Sequence, residues 1–104
     1  MSWIVLVCSG VLEAVWATAL GRAEGLSRPG PTIVFAVALL ASMAGLGYAM
    51  RELPTGTAYA VWVGIGAVLT VVYAMATGAE AVSTARIACI LAIVGGVIGL
   101  KLVS

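Results

Sequence analysis

Residues 3–20 read WIVLVCSGVLEAVWATAL, an apolar run with one charge, Glu13, near its middle. At ~1.5 Å per residue the run reaches about 27 Å as a helix, close to the thickness of a bilayer's hydrocarbon core. A carboxylate at mid-span costs about 3 kcal/mol on insertion scales, whereas each Leu, Val or Ile returns only a few tenths. A segment that served only as an anchor would gain by carrying Leu or Ala at that position. An acid inside the membrane marks a functional site, and cation or proton handling is the chemistry it suits best. The alternative is a Glu held against a Lys or Arg of another span, but no other span has a basic residue near its centre.

Composition agrees with a membrane protein. The 104 residues are 63% hydrophobic and only 9% charged, with a mean hydropathy of +1.23; a soluble domain carries roughly 25% charged residues. The net charge is +1 without a basic cluster, which excludes nucleic acid as a partner. There is no His, and Cys8 and Cys89 lack ligand spacing, so no metal site is expected. Those cysteines fall early in the first and last runs, on opposite sides of the membrane if four spans alternate, which argues against a disulfide within the chain. The N-terminus has no basic n-region and no small-residue cleavage site ahead of a polar domain, so the first run reads as a span rather than a signal peptide.

Four apolar runs are legible: residues 3–21, 31–50, 55–76 and 84–102. The second follows Ser27-Arg28-Pro29-Gly30-Pro31, whose prolines can open a helix but not sit inside one. Ser83 is a candidate N-cap for the fourth. Trp3 and Tyr48 fall near run ends, where amphipathic rings favour the interface. The breaks leave no room for an extramembrane domain, so the expected fold is all-α: one domain over residues 1–104, with four transmembrane helices and short loops, multi-pass in the inner membrane.

Orientation is ambiguous. Arg51 and Lys101 lie on the side of the N-terminus, and Arg22, Arg28 and Arg86 on the other. So even a balance gives the positive-inside rule little to act on. Many transporters rock two inverted halves around a central site, and four helices without an internal repeat cannot supply both. Two copies inserted in opposite directions can, which gives an antiparallel, dual-topology dimer.

The chemistry centres on Gly10, Glu13 and Trp16, spaced at three-residue intervals and therefore on one helix face. Gly10 is expected to leave space above the carboxylate, and Trp16 to supply a flat wall below it. Acid beside Trp suits a small delocalised cation, because Trp is the best aromatic face for a positive charge. A lone Trp in a span more often packs against lipid or anchors at the interface; the neighbouring acid argues for a site. In the third run, Tyr59 can hydrogen-bond a carboxylate, and Trp62 can form a second wall. Gly64 and Gly66 permit a hinge or, equally, tight packing. Ser42 can reach Glu13 or bond its own backbone four residues back. Gly95 and Gly99 form a small-xxx-small surface suited to dimerisation, on a run with no candidate chemistry.

These residues resemble the small multidrug resistance transporters, and within them the guanidinium-exporter subtype. The resemblance rests on Met1-Ser2-Trp3-Ile4, Gly10-x-x-Glu13-x-x-Trp16-Ala17, Ser42-Met43, the stretch from Leu53-Pro54 through Tyr59 and Trp62 to Val68, and Ile98-Gly99-Leu100-Lys101. It spans essentially the whole chain. Trp16 is the subtype marker, since broad-specificity members typically have a small residue there. The resemblance implies an antiparallel dimer in which the two Glu13 carboxylates bind protons or substrate in turn. It also implies export of a guanidinium-type cation against inward proton flow, with the proton as coupling ion and no other cofactor. Two positions depart from the pattern. Val63 stands where a hydroxyl residue is expected, and the loop Gly78-Ala79-Glu80-Ala81-Val82 lacks a basic residue and a proline. The altered loop leaves a heterodimer with an oppositely inserted homologue as an alternative to the homodimer.

The mechanism expected is competition. A low dielectric disfavours the bare carboxylate, and a second Glu13 adds like-charge repulsion. A proton and a cation satisfy the same charge and cannot both stay. If the dimer changes its open side only when occupied, proton uptake on one side drives cation release on the other. No covalent chemistry is required, so the expectation is a transporter and not an enzyme. A multidrug exporter of larger aromatic or quaternary ammonium cations is one rival; a non-transporting structural or pore-forming protein is another.

Overall fold

The computed structural model describes residues 2–103 and contains four α-helices: α1 (Ser2–Arg22), α2 (Pro29–Ala49), α3 (Thr55–Ala76) and α4 (Thr84–Val103). Met1 lies outside the described residues. All four helices are long and apolar enough to cross a membrane.

The breaks follow from local chemistry. Helix α2 begins at Pro29, two residues before the expected start, because prolines in a first turn lack only N–H groups that would have no helical partner. Helix α3 closes on Gly78 at φ +80°. Ala79 N–H bonds the Ala74 carbonyl at 2.9 Å and Gly78 N–H that of Met75 at 3.3 Å, the paired bonds of a Schellman cap. Ser83 caps α4 as expected, its hydroxyl accepting the Arg86 N–H at 3.1 Å.

The protomer is a thin slab, 40 × 34 × 17 Å. Its helices lie in the order α2–α1–α3–α4: α1 packs on both α2 and α3, α2 and α3 barely meet, and α4 rests on α3, touching α1 only where Lys101 Nζ lies 5.4 Å over the Trp3 ring. The buried core is small and lopsided. Leu6, Leu46, Ala49, Ala58, Val61 and Trp62 form it, with Trp3, Met50, Leu53 and Leu100 against it at one end and Trp16, Ile65 and Val97 further along. The six buried residues belong to the start of α1 and α3 and the end of α2, so the slab is tightest on the N-terminal side of the membrane and splayed on the other, where a groove opens between α1, α2 and α3. No residue of α4 is buried.

Candidate functional site

Helix α1 carries a stripe at alternating steps of four and three: Ser2, Leu6, Ser9, Glu13 and Trp16. The first three are buried, and Glu13 and Trp16 are partly so. Near the middle of the span, Glu13 Oε1 is buried without a hydrogen-bond partner, and so is Trp16 Nε1. The carboxylate lies against α3 at Gly66. A Cβ there would overlap the Glu13 carboxylate and stand 2.8 Å from its Cγ, so any larger residue would displace the acid from this position. One turn on, Thr70 Oγ1 donates to the Gly66 carbonyl at 2.6 Å. A buried carboxylate oxygen with no donor calls for a proton or a cation.

Towards the tight end a hydrogen-bond chain ties three helices. Trp62 Nε1 donates to Ser42 Oγ at 3.0 Å, and Ser42 Oγ donates to the Ser9 carbonyl at 2.7 Å. Ser42 is fully buried, and Trp62 is 5% exposed. Apolar burial adds little to helix association in lipid, where the surroundings are equally apolar, so such polar links weigh more. Ser42 therefore takes neither bond open to it in the sequence. It bonds neither Glu13 nor its own helix; at this junction it is the Ser9 hydroxyl that bonds back four residues, to Val5 at 2.8 Å. Gly45 makes room for this junction, since a Cβ there would overlap Ser9 Oγ.

Trp16 lies on the other side of Glu13, about one turn from it, and meets Phe35 of α2 edge to face at 5.9 Å and 68°. Thus Glu13 sits between two indoles. Trp62 is held through Ser42 at the level of Ser9, and Trp16 is held by Phe35, so the two levels are about 10 Å apart along α1. Tyr59 packs its ring 5.9 Å from Trp62 but is 54% exposed on the slab's surface. The space beside Gly10 is filled and not open: a Cβ there would meet Ile65 Cγ2 at 2.7 Å. Helix α3 runs unbroken through Gly64 and Gly66. Gly64 receives Val97 of α4, 2.6 Å from where its Cβ would be, so both glycines are positions of close approach in this conformation. Gly95 and Gly99 have nothing within 4 Å of a Cβ. Val63 is exposed. In the altered third loop Glu80 forms an ion pair with Arg86.

Four contributors escape a reading of the sequence. Ser9 and Gly45 build the Ser42 junction, Phe35 orients Trp16, and Thr70 occupies the Gly66 carbonyl. Ser9 carried a signal, lying one turn before Glu13 on the same face. Phe35 is the only Phe of the chain, and nothing in its local sequence points across to Trp16.

Comparison with known proteins adds to this geometry. Residues 1–94 match the family described as Small Multidrug Resistance protein. The chain is similar to a guanidinium exporter of Yersinia pestis, 50% identical over 104 residues that cover all of both chains. It is 48% identical over 102 residues to a guanidinium exporter of Escherichia coli (strain K12), covering 98% of this chain and 97% of that one. A guanidinium exporter of Citrobacter freundii is 49% identical over 102 residues, with the same coverage.

Proposed function

Because the chain belongs to the Small Multidrug Resistance family, a family of multi-pass inner-membrane exporters, we propose that it exports guanidinium or small guanidinyl cations in exchange for protons. Glu13 of each subunit of an antiparallel dimer binds substrate and proton in turn. The observation that carries this reading is the buried, donorless Oε1 of Glu13, one helical turn from Trp16, whose indole Nε1 is buried and without a partner as well. A guanidinium supplies what that oxygen lacks, a charged N–H donor, in a planar ion that an indole face accommodates. A proton supplies the same charge in a smaller form, so either ligand satisfies the carboxylate and each excludes the other.

The protomer is half of the working unit in this account. The slab is tight at one end and splayed at the other, and two slabs inserted oppositely enclose a site that opens to one side at a time. Helix α4, with its bare Gly95 and Gly99 surface, supplies the contact between copies.

Reconstituted vesicles test the proposal. An imposed pH gradient should drive guanidinium uptake against its own gradient, with quaternary ammonium compounds carried poorly. Preference for bulky quaternary cations would transfer the chain to the multidrug reading. Flux indifferent to the pH gradient would end the antiport reading altogether.

A further inference from the structure

The splayed end of the slab holds a groove of about 720 Å³ that does not include Glu13. It lies on the face of α1 opposite the Glu13 stripe, floored by Val11, Val15, Leu69 and Val72, with Arg22 and Tyr73 at its mouth. Arg22 is the one charged residue in its lining, and no carboxylate lines it. The Arg22 guanidinium stacks over the Tyr73 ring at 5.5 Å, and Nη2 donates to the Tyr73 hydroxyl at 3.2 Å. That bond uses one of the guanidinium's five donors and holds its fork in place.

Length decides what fits. From Arg22 to Val11 the groove runs about 16 Å along α1, and half a hydrocarbon core is about 15 Å. The groove therefore reaches from the headgroup level to the membrane's middle, the span of one acyl chain. We propose that it holds an acyl chain of an anionic phospholipid, whose phosphate is bound by Arg22 and the Tyr73 hydroxyl. The guanidinium matches a phosphate bidentately, and with no carboxylate in the lining a zwitterionic headgroup finds nothing for its amine. The site is separate from the Glu13 site and does not depend on what that site transports.

The test is lipid retention by the full-length protein in mild detergent, read by native mass spectrometry with phosphatidylglycerol and phosphatidylcholine of equal chain length. Phosphatidylglycerol should be retained about fivefold more strongly, the scale of one basic residue beside an anionic headgroup. Arg22→Gln should erase that preference and Arg22→Lys should keep most of it. Leu69→Trp, which fills the groove, should weaken both lipids alike. Equal retention of the two lipids, or a preference untouched by Arg22→Gln, would overturn the proposal. So would a disulfide formed between two copies of a Val15→Cys variant, since the groove would then be covered by the second subunit.

Discussion

Helices α1 and α4 are both apolar spans of nearly equal length, 21 and 20 residues, yet they do opposite work. Helix α1 is gripped on two sides and buries a polar stripe, whereas α4 packs along α3, reaches α1 only through Lys101 over the Trp3 ring, and buries none of its residues. Their glycine environments show the difference most clearly. Gly10 on α1 is filled by Ile65, and its partners' Gly45 and Gly66 are filled by Ser9 and Glu13; Gly95, Gly96 and Gly99 on α4 face open space. In lipid an apolar helix gains little from covering apolar neighbours. Close backbone approach and polar links are what distinguish a contact, and in this protomer most of them gather on α1, with the Gly64–Val97 approach as the share of α4. The bare glycines of α4 meet nothing within the protomer.

The comparison breaks most decisively at Glu13. Glu13→Gln keeps the shape of α1 and removes its charge, so substrate-driven proton movement in vesicles should fall to background while the dimer survives. Gly95→Leu with Gly99→Leu should do the reverse, shifting the purified protein towards monomer while each protomer still folds. If the α4 pair left the dimer intact, α4 would lose its assigned role.

Next in size are the glycines themselves. Adding one methyl at Gly66 or Gly45 forces an overlap with Glu13 or Ser9, which should cost about 1–3 kcal/mol of protomer stability. The same change at Gly95 should stay within about 0.5 kcal/mol. Unfolding of the variants in mixed micelles measures both, and equal costs would dissolve the contrast between the helices.

A smaller effect is expected at Ser42. Ser42→Ala leaves Trp62 Nε1 without its acceptor; hydrogen bonds between membrane helices contribute about 0.6–1.7 kcal/mol. If that loss falls on substrate binding, guanidinium affinity should drop by about threefold to twentyfold. Calorimetry on the purified protein reads it directly, and an unchanged affinity would separate Trp62 from the site. Least disruptive should be Phe35→Leu. An aromatic pair contributes about 0.5–1.5 kcal/mol, so loosening Trp16 should blur the ranking of small over bulky cations by a few-fold. Trp16→Gly should blur it further, weakening guanidinium transport and admitting larger cations; an unchanged substrate ranking in both would return Trp16 to a packing role.

Much of this was legible in the sequence because membrane spans announce themselves. Hydrocarbon forces long apolar runs, Pro29 and Pro31 mark a start, Ser83 marks another, and the cost of a buried carboxylate makes Glu13 conspicuous. What the sequence withheld is lateral geometry. A run's apolar periodicity says nothing when every face is apolar, so the order α2–α1–α3–α4 was not readable. The same blindness explains the misjudged space at Gly10. A glycine signals closeness or openness with the same letter, and only the position of Ile65 decides between them. Ser42 shows the other limit: its type and depth were informative, but its acceptor is a backbone carbonyl, that of Ser9, and every residue has one.

The central claim is that a proton and a guanidinium compete for Glu13, and calorimetry of guanidinium binding across a pH series tests it most directly. If binding expels a proton, the apparent Kd must rise as pH falls. The heat must also vary with the ionisation enthalpy of the buffer, since the buffer takes up the released proton. The account predicts both effects in the native chain and neither in Glu13→Gln. A guanidinium affinity independent of pH, with no proton released, would contradict it.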